Sequence, residues 1–294
     1  MNYLDISRNN ITLSKERGFI LIKSGDELVL KRALDSFESI IVSGFGIRYS
    51  HNLIVALCER KIPLFICGAN FMPCGILAGM TANYDLSGRL REQVNVGVGL
   101  QNRLWQKVIK QKLRNQYLVL KSQGVDDLVL LKLSETVKSG DVENFEGQGA
   151  RRYWKQLFGN DFTRNFEKPG INSFLNFGYA ILRSTVVRSI TASGLHTGIG
   201  IHHCNRLDPW CLADDIMEPY RPYLDYHLKK MGIDEDSILT PNLKKELAIF
   251  MEQPSELNEM QFTLVSCIQK TVDALVKSFH NSKNLIEYPD FDQC

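Results

Sequence analysis

The chain has 294 residues, of which 44% are apolar and 23% charged, and its formal net charge is +2. This composition excludes a disordered or collagen-like protein, and the length suffices to bury a core without disulfide bonds. No stretch of about 18 residues lacks both charged and polar side chains, so no membrane-spanning helix is expected. The seven cysteines are scattered without a C-x-x-C pair, and the first five residues do not resemble a secretory signal. A reducing, cytoplasmic location is therefore predicted.

Charge is distributed unevenly along the chain. Eight basic residues and one acid lie between Arg89 and Lys121, whereas the last ten residues contain three acids and no base. This asymmetry favours a polyanion as partner, and a solvated helix face is the alternative.

The first 80 residues predict a small, mostly β domain. Short apolar, β-branched runs are separated by turn residues such as Asn9-Asn10, which is the pattern of strands. One helix is predicted from His51 to Arg60, with its apolar residues on one side. The predicted strands are Tyr3–Ile6, Ile11–Leu13, Gly18–Lys23, Glu27–Lys31, Ser39–Val42, Pro63–Cys67 and Gly75–Ala78.

After Asn83 the apolar period changes from 2 to about 3.6 residues, which indicates helices. The predicted fold class is α+β: a mostly-β domain over residues 1–83, then a larger all-α domain over residues 84–294. Thr81–Asp85 is a plausible linker. The predicted helices are Gly88–Ser122, Asp126–Val137, Asp141–Phe158, Asn172–Ser193, Leu212–Met231, Asn242–Glu252 and Ser255–Phe279.

One candidate site begins at Glu146. Gly147 and Gly149 follow it inside a predicted helix, where each glycine costs about 1 kcal/mol relative to alanine. Such a cost suggests that another group approaches the backbone closely. The alternative is a helix junction that carries a surface acid.

A second candidate site lies in the glycine-rich segment Gly194–Arg206, which holds three of the six histidines. The next helix carries Asp214, Asp215 and Glu218 at spacings that place acids on one face. Carboxylates this close repel each other unless a cation lies between them. Carboxylates with one imidazole favour Mg²⁺ or Mn²⁺.

Other chemistries fit the motifs less well. Zinc would draw on His202, His203, Cys204 and Cys211, but their spacing matches no common zinc pattern. A buried polar network remains an alternative for this segment. The sequence has no G-x-S-x-G elbow and no phosphate-binding glycine loop, which argues against a serine hydrolase, a nucleotide hydrolase or a dinucleotide-binding protein.

The order of these motifs resembles the CRISPR-associated integrase family, the metal-dependent DNA endonucleases of spacer acquisition. The resemblance covers nearly the whole chain and is strongest to the short members of type II systems. It is carried by Glu146-Gly147 with Tyr153-Trp154, by Asn172–Arg183, by Gly200-Ile201-His202-His203, and by Leu212–Pro222.

The resemblance implies that Glu146, His203 and Glu218 are both the catalytic residues and the ligands of a divalent ion, Mg²⁺ or Mn²⁺. Asp215 matches an aspartate that other members carry, and it is a possible assisting residue. The stretch from Arg89 to Lys121 becomes a candidate track for DNA. Candidate phosphate contacts, or equally surface ion pairs, are Arg151, Arg152 and Arg221.

The implied function is the insertion of short foreign DNA fragments into a CRISPR array by 3′-hydroxyl attack on a phosphodiester. The implied partners are double-stranded DNA, a second copy of the chain joined through the β domain, and a small second adaptation protein, with no membrane. The alternatives are a metal-dependent nuclease of repair or recombination and a non-enzymatic DNA-binding scaffold. The β domain hints at a dimer surface only through apolar residues that also suit a core, such as Phe65, Ile66, Phe71 and Met72.

Overall fold

The computed structural model describes residues 3–37, 39–60, 62–68, 73–77, 79 and 86–291. The chain divides into two units, Met1–Ser87 and Gly88–Cys294. The linker predicted at Thr81–Asp85 lies outside the described residues, and so do Phe71 and Met72.

Within the described residues, the first unit contains two four-stranded sheets and one helix. Its elements are β1 (Tyr3–Ile6), β2 (Ile11–Glu16), β3 (Phe19–Ser24), β4 (Glu27–Ala33), β5 (Ser39–Val42), β6 (Arg48–Tyr49), α1 (His51–Glu59), β7 (Leu64–Cys67) and β8 (Pro73–Leu77). One sheet has the order β1-β5-β7-β8, with only the β7–β8 pair antiparallel. The other has the order β4-β3-β2-β6, with only the β2–β6 pair parallel.

The core of the first unit forms from the alternating apolar positions of these strands and from one side of α1. Leu13, Ile20, Ile40 and Leu53 are fully buried in it. The Ser50 side chain caps α1 by accepting a hydrogen bond from the Leu53 amide. The strand β6 was not predicted, because two residues are too short to show a period of 2.

Two of the apolar residues that suggested a dimer surface are described. Phe65 is buried, whereas Ile66 is 41% exposed. Core packing therefore explains Phe65 but not Ile66, as expected from alternation along a strand.

The second unit is helical apart from one hairpin within the described residues. Its elements are α2 (Leu86–Val94), α3 (Val98–Ser122), α4 (Leu128–Thr136), α5 (Phe145–Phe158), α6 (Ile171–Ala192), α7 (Cys211–Met217), α8 (Arg221–Lys230), α9 (Pro241–Ala248), β9 (Pro254–Leu257), β10 (Met260–Thr263) and α10 (Leu264–Asn281). Helix α3 packs against α4, α5 and α8, and α6 packs against α10. No described helix is both long and apolar enough to cross a membrane.

The predicted α+β class is confirmed, and two predicted helices prove to be interrupted. The stretch predicted as one helix from Gly88 to Ser122 is α2 and α3, separated before Gly97, whose extended backbone begins α3. The helix predicted from Leu212 to Met231 is divided by a 3₁₀ turn over Glu218–Tyr220. Pro219 and Pro222 lack the amide hydrogens that would continue regular α-helix bonding through this region.

The hairpin β9–β10 lies in a region that the sequence predicts to be all-helical, so it corrects that prediction. Asn258 and Glu259 both have positive φ, 54° and 62°, as a two-residue hairpin turn requires. The helix predicted from Ser255 therefore begins only at Leu264, where Thr263 caps it.

Gly149 has a packing role that explains the glycine inside α5. A Cβ at this position would collide with Leu113 Cδ2 of α3 and lie 3.3 Å from Leu130 Cδ2 of α4. The neighbouring Gly147 lies against the capping side chain of Asn144. The group that closely approaches the backbone of α5, as the glycines in the sequence suggested, is therefore Leu113 of the protein itself.

We expect Gly149→Ala to destabilise the protein by about 1–2 kcal/mol. Overpacking against fully buried leucines costs about 1–3 kcal/mol, and alanine's better helix propensity returns up to about 1 kcal/mol. Urea denaturation of Gly99→Ala serves as the control, because a Cβ there meets only Arg103 Nη1, at 3.6 Å. An unchanged free energy of unfolding for Gly149→Ala would contradict the packing described.

Candidate active site

Four charged side chains meet where α3, α5 and the turn after α7 converge. Lys112 Nζ lies 2.7 Å from Glu146 Oε1 and 2.6 Å from Glu218 Oε2. Arg221 Nε lies 2.9 Å from Glu218 Oε1. Two of the three predicted ligands, Glu146 and Glu218, therefore share one cationic side chain although they are far apart in the sequence.

The N-terminus of α5 fixes the direction of Glu146. Asn144 adopts the left-handed conformation that asparagine tolerates, and its side chain accepts a hydrogen bond from the Gly147 amide. The Asp141 carboxylate accepts from the amides of Phe145 at 2.9 Å and Glu146 at 3.0 Å. These bonds satisfy three of the free amides of the first turn and leave Glu146 pointing toward α3.

Glu218 is a buried carboxylate with two cationic neighbours. Burial raises the pKa of this carboxyl group, but Arg221 and Lys112 outweigh burial and lower the pKa of Glu218 to about 2. The Oε2 atom is buried and has no well-directed hydrogen bond, so its close approach to Lys112 Nζ is an ion contact only. Glu218 is thus ionised, and each of its two oxygens contacts a cationic side chain.

Asp215 organises the segment that carries the histidines. Its carboxylate is fully buried and accepts hydrogen bonds from the amides of Ile201 at 2.5 Å, His202 at 3.0 Å and His203 at 3.2 Å. The same carboxylate lies 2.6 Å from His203 Nδ1. Only glycine fits at position 200, because a Cβ there would collide with the His203 carbonyl oxygen and lie 2.8 Å from Asp215 Oδ2.

This arrangement sets the chemistry of the His203 ring. The hydrogen bond to Asp215 is the main cause that raises the pKa of His203, and Glu218 and Glu146 raise it further. With Nδ1 directed at Asp215, the neutral ring carries its lone pair on Nε2, to which no described residue donates a hydrogen bond. The buried Trp105 stacks on His202 at 4.2 Å and meets the edge of His203 at 5.7 Å, which restrains both rings.

The three acids of the α7 region have separate partners rather than one shared cation. Asp214 pairs with Arg183 at 2.7 Å, Asp215 binds the histidine segment, and Glu218 contacts Lys112 and Arg221. The Lys112 ammonium joins Glu218 to Glu146 of α5 rather than to a neighbouring acid of the same helix.

The donor set fits a hard or borderline divalent ion. Two carboxylates and an imidazole nitrogen are the ligand types that Mg²⁺ or Mn²⁺ accepts, and Glu218 offers a buried oxygen that lacks a directed bond. The described residues contain no group of three His, Cys, Asp or Glu side chains already arranged around a metal position. In this arrangement the Lys112 ammonium lies between the glutamates.

The structure lends no support to zinc in the histidine segment. Cys204 is exposed, and the buried Cys211 directs Sγ at the carbonyl oxygens of Asn205 and Asp208. Neither of these two cysteines forms a disulfide.

The three candidate phosphate-binding arginines have different surroundings. Arg152 pairs with the buried Asp127 at 2.5 Å, and Arg221 is held by Glu218 and lies over the Tyr179 ring at 4.6 Å. Arg151 is exposed and lines a cleft of about 510 Å³ between α4 and α5 together with Lys155. Only Arg151 is thus free of an ion pair among the described residues.

The basic stretch is partly neutralised within the protein. Arg114 forms a bidentate ion pair with Asp290 at 2.8 and 2.9 Å. Lys112 is buried in its contact with Glu146 and Glu218. Asp290, near the acidic end of the chain, therefore neutralises part of the positive charge of the basic stretch. The basic residues without an ion pair to any described residue are Arg91, Arg103, Lys107, Lys110 and Lys121.

Sequence reasoning missed the role of Lys112, which it counted only within the basic stretch. The position falls on the buried face of α3, three and four residues after Ile109 and Val108. A lysine on an apolar helix face is the feature that could have identified it.

Asp225 was missed as well. It is buried, accepts hydrogen bonds from the hydroxyls of Tyr153 and Tyr179, and burial raises its pKa to about 7.

The fold and the site define a two-unit protein whose helical unit carries a carboxylate–histidine site suited to a divalent ion. A sequence model of the family described as CRISPR associated protein Cas1 matches residues 4–231. The chain therefore belongs to the Cas1 family, and the resemblance noted in the sequence is confirmed.

Individual proteins agree with this membership. A relative from Neisseria meningitidis, named CRISPR-associated endonuclease Cas1, is 32% identical over 87% of this chain and 90% of its own length. A casposase bound to an integration product has the same fold, with a TM-score of 0.73, 19% identity and full coverage of both chains. A partial Cas6-RT-Cas1–Cas2 complex also contains the fold, with a TM-score of 0.73, 17% identity and 99% coverage of both chains.

We expect Asp215→Asn to lower both stability and the pKa of His203. The amide keeps the size, but its NH₂ group cannot accept the bonds that one carboxylate oxygen accepts, which costs about 1–3 kcal/mol. The His203 pKa should fall, because the Asp215 bond is the main cause that raises it. NMR titration of the histidine rings and urea denaturation measure the two effects.

The exposed Asp161→Asn is the matched control and should change neither quantity. A His203 pKa that stayed the same in Asp215→Asn would show that Asp215 does not set the state of the ring.

Proposed function

We propose that this chain is a divalent-metal-dependent DNA endonuclease and integrase of CRISPR adaptation. It joins a 3′-hydroxyl of a short DNA fragment to a phosphodiester of the array, in the cytoplasm, with Mg²⁺ or Mn²⁺. Membership of the Cas1 family and the similarity to the Neisseria endonuclease support the endonuclease activity. The casposase of the same fold is bound to an integration product, which supports integration as the reaction.

The observation that carries the proposal is the convergence of Glu146, Glu218 and His203. The two carboxylates share a cation at 2.7 and 2.6 Å, and both raise the pKa of His203, so the three groups lie within Coulombic reach of one another. We infer that Glu146, Glu218 and His203 Nε2 hold the divalent ion and form the catalytic site.

Phosphoryl transfer needs charge neutralisation and alignment more than a protein nucleophile. When bound, the divalent ion supplies Lewis-acid charge to the scissile phosphate. Glu146 and Glu218 provide the negative charge that retains the ion. Asp215 holds the proton on His203 Nδ1 and thereby keeps Nε2 as the ligand atom.

Other residues bind and orient DNA in this proposal. Arg221 keeps Glu218 ionised, and the exposed Arg151 contacts backbone phosphates. The unpaired basic residues of α2 and α3 form the nonspecific track, which positions DNA without reading its sequence.

The proposed assembly follows from the need for two strand transfers per inserted fragment, since each chain carries one site. We propose a homodimer through the β-rich unit and a small second adaptation protein as partner. The similar complex that contains Cas1 and Cas2 supports the second partner.

We expect Glu146→Ala and Glu218→Ala each to lower the rate of metal-dependent turnover by about 100-fold or more. The affinity for DNA should differ from that of the unmodified protein by no more than about threefold. A short duplex, a supercoiled target and Mn²⁺ give joined products that a gel resolves, and fluorescence anisotropy gives the affinity. Glu218→Gln covers the case in which loss of the buried carboxylate unfolds the protein. The control is Glu143→Ala, because Glu143 precedes α5 and its one ion pair within the described residues is with the exposed Lys138.

The outcomes separate the candidate functions. Normal strand transfer by either alanine variant would refute the assigned site. Hydrolysis without joined products would identify a nuclease of repair or recombination, and DNA binding without any turnover by the unmodified chain would identify a scaffold.

We also expect DNA affinity to fall steeply with salt, with a slope of log K against log salt near −0.9 per neutralised phosphate. Replacing Arg103 and Lys110 together by alanine should weaken binding and reduce the slope by about 1–2. Lys230→Ala, an exposed lysine of α8, should leave the slope unchanged. A flat salt dependence of the unmodified protein would remove the basic track from the proposal.

A further inference from the structure

Lys112 lies in an unusual position for a lysine. Its side chain is only 9% exposed, and its ammonium group contacts two carboxylates that belong to the proposed ligand set. The three residues come from α3, from the first turn of α5 and from the turn after α7. The ammonium therefore links three elements that the chain brings together from distant positions.

The charges of the cluster explain why a cation is needed there. Without Lys112, Glu146 and Glu218 would face each other with Arg221 as the only other ion-pair partner within the described residues. Removing one partner from a buried ion pair leaves a charge without compensation. Lys112 thus holds together two carboxylates that would otherwise repel.

The same charges oppose the simultaneous presence of a divalent ion. The two glutamates balance Lys112 and Arg221, so an added divalent ion would bring two further positive charges into a largely buried cluster. Even when Asp215 is counted, one positive charge would remain. A divalent ion and the Lys112 ammonium would therefore compete with each other for the same carboxylate oxygens, Glu146 Oε1 and Glu218 Oε2.

We infer that Lys112 is a tethered cation that occupies the carboxylate pair until a divalent ion replaces it. Lysine suits this exchange better than arginine, because its ammonium is a compact charge on a flexible four-carbon stem. The inference rests on the proposed function in one respect only, namely that Glu146 and Glu218 bind the ion.

The first test needs no metal. In EDTA, Lys112→Met should lower Tm by roughly 5–15 °C, because it leaves the carboxylates without their shared cation. Glu146→Gln in the same background should recover part of this loss, since it removes one of the repelling charges. Additive Tm changes in this double-mutant cycle would overturn the inference.

The second test titrates Mn²⁺ and follows Tm. We expect Lys112→Met to bind Mn²⁺ at least about tenfold more tightly than the unmodified protein, because no ammonium has to be displaced. Lys230→Met, at an exposed position of α8 with no ion pair to any described residue, should behave like the unmodified protein. Lys112→Gln repeats the test if the methionine variant does not fold.

Failure of this inference and failure of the proposed function give different results. Unchanged or weaker Mn²⁺ affinity in both Lys112 variants would overturn the exchange while leaving the metal site intact. If the unmodified protein and the Lys112 variants show no Mn²⁺ response, both the proposed metal site and the exchange are refuted. The cycle in EDTA would still decide whether Lys112 bridges the carboxylates.

Discussion

Burial of the Glu218 carboxylate is the constraint that organises the helical unit. A carboxylate that is 5% exposed is stable only beside positive charge, and Lys112 and Arg221 supply that charge from α3 and from the start of α8. Because Lys112 also contacts Glu146, the same charge balance brings α5 to the site. These ion contacts join α3, α5 and the start of α8 at the candidate site, close to the apolar contact of Gly149 with Leu113.

Asp215 and Glu218 are both buried carboxylates of the α7 region, but their surroundings differ. Asp215 uses its two oxygens on three amides and one imidazole, so it can orient His203 but has little capacity left for an ion. Glu218, three residues later, has an oxygen without a directed bond. Hydrogen bonding and nearby charge differ between the two carboxylates, and in the proposed site these differences would separate a ligand from a residue that positions one.

Much of the fold could be predicted from the sequence because it depends on local patterns. Period 2 in the first unit and period 3.6 after Asn83 identified most of the strands and helices, but not β6, the break between α2 and α3, or the start of α10 at Leu264. The hairpin at Asn258 and Glu259 escaped because neither residue is glycine, although both adopt positive φ. Lys112 was missed for a different reason: its position on the apolar face of α3 indicates burial, but only the tertiary contact with two distant glutamates shows what it pairs with.

Helix α3 connects the two electrostatic features of the protein. It is 25 residues long, or about 37 Å, and it carries unpaired basic side chains on its surface as well as the buried Lys112. A rigid helix fixes the distance between these groups, so DNA bound along the exposed face of α3 would meet the carboxylate site at a constant position. In the proposed function, backbone contacts of this kind position DNA at the site without reading its sequence.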